Sequence, residues 1–340
     1  MQLLQPADNT GILPIAYFHA LAHLGEEGLI LIEPAHTFVS LGFFDDAATT
    51  VNRDYCHKQD IPIMRRETGG GMVLLGPGQV FYTLVLKRPH ASVPSRVDEA
   101  YQHLSKAPIS VYQDLGITAT LRPVNDIVTK GGRKIAGQGA GDINGHFCFV
   151  GSILLDFDIE LMHRVVQLPN EDLRMPLKAA LKDHLTSVTQ ETGARPTVEA
   201  VKRHLVQAFA PLVGGLSETD TPQRLLAKAR EVAAELSAPE TVFSDETEPA
   251  ALFKVREGLY LCQRALKGAK GAILVSVTIC EGHISAISVS GPGIPEGAPY
   301  LDRLIGLAFQ AHTLSAHLPD IATLGLTKDQ FVAALFARRS

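Results

Sequence analysis

Three consecutive glycines, Gly69-Gly70-Gly71, follow directly on Arg65-Arg66-Glu67-Thr68, and no other segment restricts the fold of this chain as tightly. Each glycine costs backbone entropy, so a fold keeps three together where a ligand or another strand must approach the main chain closely. Arginine beside such a loop suits a phosphate or a carboxylate, because its planar fork pairs with either in bidentate fashion. The residues by themselves leave a second reading open, a glycine turn flanked by solvated arginines.

A second constellation lies about sixty residues on. Asn125-Asp126 precedes Gly131-Gly132-Arg133-Lys134-Ile135-Ala136-Gly137-Gln138-Gly139. The spacing predicts a hairpin, with Ile127–Thr129 and Lys134–Ala136 as strands and Gly131-Gly132 as the turn. Asn125 and Asp126 offer oxygen ligands for a magnesium ion held on a nucleotide phosphate. The apolar run after Lys134 suggests a strand position pointing into a cleft, where the ammonium can stabilise charge developing on a phosphate and a carbonyl oxygen. An ordinary hairpin with a surface lysine fits the same residues. Other patterns fail. The chain has no P-loop and no Gly-x-Ser-x-Gly elbow. Gly137-Gln-Gly139-Ala-Gly141 lacks dinucleotide-fingerprint spacing. His19 and His23, four apart on a helix, could share a metal, but no carboxylate partner is evident and a plain helix face explains them.

The 340 residues, 46% of them hydrophobic, are enough for about two domains. A net charge of -5 and no evident basic face argue against nucleic acid as a partner. Four scattered cysteines suit a reducing compartment. The N-terminus does not resemble a signal peptide, and no apolar run is long enough for a bilayer, so a cytoplasmic protein is expected. Helices are expected over Ile15–Leu24, Ala47–Gln59, Val97–Leu115 with an interruption near Pro108, Leu173–Thr189, Val198–Val213, Pro222–Leu236 and Leu301–Leu314. Strands are expected at Leu29–Ile32, Phe38–Leu41, Val80–Leu86 and Phe147–Leu155. Ala272–Cys280 and His283–Val289 form a further hairpin about Glu281-Gly282. The polar, acidic stretch Ser237–Glu248 marks a domain boundary, giving a catalytic domain over 1–245 and a small accessory domain over 246–340.

Arg-Arg-Glu-Thr-Gly-Gly-Gly-Met-Val, Asn125-Asp126 with Arg133-Lys134-Ile135-Ala136-Gly137, and Gly151-Ser152-Ile153-Leu154-Leu155 stand in the order and spacing of three signatures of the lipoate–protein ligases. The sequence resembles that family, part of the biotin/lipoate A/B protein ligase superfamily. Lys254-Val255-Arg256-Glu257-Gly258 and the hairpin at Glu281-Gly282 are similar to the accessory domain of its full-length members. The resemblance implies an α+β fold. Its catalytic domain would be a mixed sheet of the biotin ligase and class II aminoacyl-tRNA synthetase type, followed by a small α+β accessory domain. It also implies two reaction steps. Lipoate or octanoate first attacks ATP to give an acyl-adenylate and pyrophosphate. A lysine of a lipoyl carrier, either a protein like the glycine cleavage H protein or an E2 lipoyl domain, then takes the acyl group. Lys134 would be catalytic. Arg65, Arg66, Gly69, Gly70, Gly71, Asn125, Asp126, Gly137, Gly151 and Ser152 would bind the adenylate, with Mg²⁺ at Asp126. The accessory domain would move between the two steps, with Ser244–Glu248 in its hinge.

Leu75, Gly76, Gln79 and Val150 depart from the residues usual at those family positions, which suggests a divergent branch with a reshaped acyl tunnel. Strand alternation puts His146, Cys148 and Val150 on one face, with Leu75 as a further tunnel residue. Cys148 also raises an alternative. Some relatives transfer octanoyl or lipoyl groups without ATP through a cysteine thioester. A non-catalytic binder of lipoylated carriers is a third reading, against which the retained Lys134, Arg65, Arg66 and glycines stand.

Overall fold

Near-continuous apolar runs fill Gln79–Lys87 and His146–Leu154, as strands covered on both faces require, and these two strands pair antiparallel at the centre of the larger sheet. The computed structural model describes residues 1–168, 170–243, 252–256, 259–268, 271–292, 294, 299–321 and 324–336. Two compact units divide the chain, Met1–Glu246 and Thr247–Ser340.

In the first unit the strands are β1 (Gln2–Leu4), β2 (Gly28–Ile32), β3 (Phe38–Leu41), β4 (Ile63–Arg65), β5 (Val73–Leu75), β6 (Gln79–Lys87), β7 (Ala119–Arg122), β8 (Asp126–Thr129), β9 (Lys134–Ile143), β10 (His146–Leu154) and β11 (Ser217–Glu218). Eight of them form one mixed sheet in the order β11-β1-β2-β6-β10-β9-β8-β7, and β4-β3-β5 form a second. The helices are α1 (Leu13–His23), α2 (Ala47–Thr50), α3 (Arg53–Lys58), α4 (Val97–Leu104), α5 (Lys106–Asp114), α6 (Ile159–Val165), α7 (Arg174–His184), α8 (Val188–Thr192), α9 (Val198–Phe209), α10 (Gln223–Ser237) and α11 (Pro239–Val242).

The strand period sorts the core into two layers. Val80, Tyr82, Leu84, Phe147 and Phe149 pack with α4, α5 and α9 on one face of the sheet. Phe81, Val85 and Cys148 pack with α1 and α10 on the other. This α+β architecture with a mixed sheet agrees with the expected fold class.

Three expected helices are broken. The one over Ala47–Gln59 divides because Val51 is extended and Asn52 caps a new helix, its side chain accepting from Tyr55 N at 3.1 Å. The one over Leu173–Thr189 divides at Leu185, and Ser187 caps α8. In the second unit Leu301–Leu314 is a 3-10 segment over Pro299–Leu304, a turn, and α12 (Ala311–His317). The break in Val97–Leu115 falls at Ser105 and not at Pro108. Pro108 sits in the first turn of α5, where a missing N–H leaves no helical bond unmade.

The second unit is a four-stranded antiparallel sheet of β12 (Leu252–Arg256), β13 (Leu259–Gly268), β14 (Gly271–Cys280) and β15 (His283–Ser290). Helices α12 and α13 (Lys328–Phe336) supply core residues such as Leu314 and Phe331. The hairpin between β14 and β15 turns at Glu281-Gly282 as the sequence indicates, with positive φ at both residues. The hinge stretch Ser244–Glu248, and Glu257-Gly258 of the accessory signature, lie outside the described residues.

Candidate active site

The hairpin of β8 and β9 brings the lysine and the acid of the second constellation together. Asp126 pairs with Gly137 across the ladder, and a bulge lies between that pair and Lys134. Lys134 Nζ stands 2.7 Å from Asp126 Oδ1, and Arg122 Nη2 stands 3.1 Å from Asp126 Oδ2. Asp126 is 1% exposed, whereas the side chain of Lys134 is 22% exposed. The buried carboxylate lies between two cations and fixes the partly exposed lysine, since removing either partner would leave a charge less well paired. The lysine lies over Gly137, since a Cβ there would sit 3.1 Å from Lys134 Nζ. That glycine is therefore explained by the lysine's path.

Gly137, Gly139 and Gly141 fall on one face of β9 at strand period, and this is where the glycine triplet docks. A Cβ on Gly141 would meet Thr68 at 3.3 Å, and one on Gly139 would lie 3.9 Å from Gly69 O. Bare backbone on both sides lets the two constellations approach. Gly70 has φ +96° and passes so close to Gly42 that a Cβ on Gly42 would collide with Gly70 O. Nothing lies within 4 Å of where a Cβ would stand on Gly69 or Gly71.

The arginines do something other than what the sequence suggested. Arg65 donates from all three guanidinium nitrogens to main-chain carbonyls, with Nε to Thr241 O at 3.0 Å, Nη2 to Val242 O at 2.7 Å and Nη1 to Asp45 O at 2.5 Å. Arg66 donates to Ser40 O at 3.0 Å and to Gly69 O and Gly71 O at 2.9 Å each. They are 5% and 7% exposed. In this structure their forks brace the glycine loop and the end of α11 at 241–242, and are not open to a phosphate or carboxylate. Burial lowers Arg66 to about 10, which still leaves it charged at neutral pH.

Helix α1 completes the brace. His19 is fully buried; its Nδ1 lies 2.9 Å from Ile15 O and its Nε2 accepts from Glu67 N at 3.1 Å. Nδ1 therefore carries the proton, and burial pulls the ring down to about 3, keeping it neutral. His23 Nε2 meets Glu67 Oε2 at 3.0 Å. The pair four apart grips the arginine motif through Glu67. The helical spacing singles out both histidines in the sequence, but their partner Glu67 lies over forty residues away, beyond what that spacing can show.

Other candidates separate. Gly151 is explained by packing, because a Cβ there would strike the Tyr82 ring and hydroxyl. Ser152 lies on the opposite face, paired with Phe81. His146, Cys148 and Val150 do share a face, as alternation indicated, but only Val150 is partly exposed. Leu75 and Val150 pack against the core layer that contains Cys148. Cys148 is 0% exposed, and burial pushes its thiol far above the ordinary range. Cys56, in the same unit, is also buried, with its thiol raised to about 11.

The residues present do not fit the magnesium site expected at Asp126. Both carboxylate oxygens face cations, and Asn125 Nδ2 donates to Gln138 O at 2.5 Å, making the pair part of the hairpin. Among the described residues no group of three or more His, Cys, Asp or Glu could hold a metal ion. No described helix is long and apolar enough to cross a membrane.

The mixed sheet thus brings a lysine and a glycine loop to one strand, β9. Residues 16–210 match the family model of the lipoyl protein ligase A/B catalytic domain, and the chain belongs to that family. It is 28% identical over 221 residues to the octanoyltransferase LipM of Kyrpidia tusciae, covering 59% of this chain and 79% of that protein. It is 22% identical to lipoate-protein ligase A subunit 1 of Thermoplasma acidophilum, covering 61% and 81%. Among solved structures, the bi-partite lipoate protein ligase of Thermoplasma acidophilum, from a study of an archaeal lipoylation system with its E2 lipoyl domain, shares the fold at a TM-score of 0.64 and 20% identity, covering 73% of this chain and 98% of that one. LipL1 of P. falciparum, solved in complex with lipoate, gives a TM-score of 0.56 at 14% identity, covering 85% and 84%.

Proposed function

We propose that this chain is an ATP-dependent lipoate–protein ligase. The observation that carries the reading is the contrast between Lys134 and Cys148. The lysine is held by Asp126 at the partly exposed end of the glycine-lined floor, while the cysteine is sealed in the core. A thioester mechanism needs an accessible thiolate, and neither cysteine of the first unit provides one. An adenylating mechanism needs a fixed cation beside bare backbone, which is what stands here.

In the first step a carboxylate oxygen of lipoate or octanoate bonds to the α-phosphorus of ATP, and the bond to pyrophosphate breaks. In the second, the neutral amine of a carrier lysine attacks the acyl carbon; AMP leaves and the amine gives up a proton. Lys134 stabilises the negative charge on the phosphate and acyl oxygens in both steps, and Asp126 positions it. The glycine loop, braced by Arg66, lets the adenylate lie along the main chain. Carrier binding fits the family, and an E2 lipoyl domain or a protein like the glycine cleavage H protein is the expected acceptor.

Similarity to the relatives named octanoyltransferases supports a second reading, acyl transfer without ATP. Pyrophosphate release from ATP by the purified protein, with and without lipoate, separates the two. Lipoate-dependent release is expected. No release with either acid, alongside acyl transfer from an octanoylated carrier in the absence of ATP, would replace the ligase reading with the transferase.

A further inference from the structure

A buried hydroxyl with nothing to bond to costs about 1–3 kcal/mol, so a fold that keeps one invites a reason. Thr83 is such a residue. It is 1% exposed, and its Oγ1 has no hydrogen-bond partner among the described residues. It stands in the middle of β6 between Phe81 and Val85, facing the layer that contains α1. Its ladder partners are Val150 on β10 and Ile30 on β2, both apolar. Valine would fill this position without an orphaned oxygen.

The position of Thr83 relative to the candidate site supplies the reason. Val150 pairs with Thr83 on one side and with Gly139 on the other. The strand face from Lys134 thus runs over Gly137, Gly139 and Val150 to Thr83. Exposure falls along that line, with Gly137 exposed, Gly139 and Val150 partly exposed, and Thr83 buried. Gly137, over which Lys134 Nζ lies, is two residues along β9 and two strand spacings across from Thr83, about 12 Å, which a hydrogen bond to the ammonium followed by an eight-carbon chain spans. A carboxyl group at Lys134 would therefore send its tail toward the Thr83 hydroxyl.

We propose that Thr83 is a specificity-determining residue, whose hydroxyl donates to a dithiolane sulfur of the bound lipoyl group and so favours lipoate over octanoate. The inference rests on the acyl-binding reading of the site given above. The hydrocarbon end of octanoate offers no acceptor and leaves the hydroxyl as unpaired as it is without substrate. The preference therefore comes from a bond gained with lipoate and not from a penalty imposed on octanoate. One hydrogen bond to a weak acceptor corresponds to a preference of roughly three- to tenfold.

The test is Thr83→Val, which keeps the shape and removes the hydroxyl, with Thr83→Ser restoring it. Adenylation of lipoate and of octanoate is measured separately on the full chain, and equilibrium binding of each free acid is measured in parallel. In Thr83→Val the lipoate-to-octanoate ratio of kcat/KM should fall about fivefold, through lipoate alone. Thr83→Ser should keep the wild-type ratio, and the melting temperature of Thr83→Val should not fall. An unchanged ratio, or equal losses for both acids, overturns the inference while leaving the ligase reading intact. If the wild type adenylates neither acid but binds lipoate with a preference that Thr83→Val removes, the ligase reading fails and the inference stands. Failure to bind either acid overturns the inference.

Discussion

Two basic motifs flank the same strand, each with glycines beside it, yet they do opposite work. At 65–71 the guanidinium groups point into the fold and hold carbonyl oxygens of Ser40, Gly69, Gly71 and Thr241. At 131–139 the ammonium of Lys134 is held by a buried carboxylate at the open end of the floor. The glycines differ as well. Gly137 makes room for a lysine side chain, whereas Gly42 makes room for the main chain of the triplet. A cation next to glycine is thus ambiguous in sequence. What decides is whether carbonyl oxygens or solvent meet its donors, and that depends on strands far away in the chain.

The comparison predicts that the lysine carries chemistry and the arginine carries shape. Lys134→Ala should lower adenylation by about 10²–10³-fold. It should cost only about 1 kcal/mol in stability, because Asp126 keeps its contact with Arg122. Steady-state pyrophosphate release and a thermal melt measure both quantities. Near-normal turnover in this variant would remove Lys134 from the site and erase the difference between the two motifs.

Arg66→Ala should show the reverse balance. The variant leaves the carbonyls of Ser40, Gly69 and Gly71 without their donor, and about 3 kcal/mol of stability should be lost. Arg66→Lys should not restore it, since a single ammonium cannot span Ser40 and the loop together. Activity should fall with the loop's order, appearing mainly as a higher KM. A stable Arg66→Ala protein with an unchanged KM but a collapsed kcat would mean that the arginine does meet the reacting atoms.

Much of this frame was legible in the sequence, for identifiable reasons. Strands β6 and β10 alternate strictly enough that the face shared by His146, Cys148 and Val150 could be read from position alone. The Asn125-Asp126 and Lys134 hairpin was equally local, its turn marked by Gly131-Gly132. Helix ends were harder. Asn52 and Ser187 are good caps, but each sits inside a run of apolar periodicity that continues past it. The arginines were misread because their acceptors are carbonyl oxygens, which carry no residue identity. His19 reads in sequence as a plain helix face, although it binds the backbone of Glu67 48 positions away.

The smallest expected effect tests the buried end of the same face. Cys148→Ser replaces a thiol, set among the apolar residues shared by α1 and β6, with a more polar and smaller group. The thiol's nearest acceptor, His146 O, is 3.9 Å away, so the bond lost is weak. Burying the hydroxyl should cost about 1–2 kcal/mol, while adenylation and transfer remain within about twofold of wild type. Cys148→Ala provides the apolar control and should be equally active. Because the thiol is sealed and its ionisation suppressed, complete loss of transfer in both variants, with the fold intact by melting, could arise only if the face opened during turnover to expose Cys148. That result would make Cys148 the acyl-accepting nucleophile, and would place the reaction at the buried end of the floor.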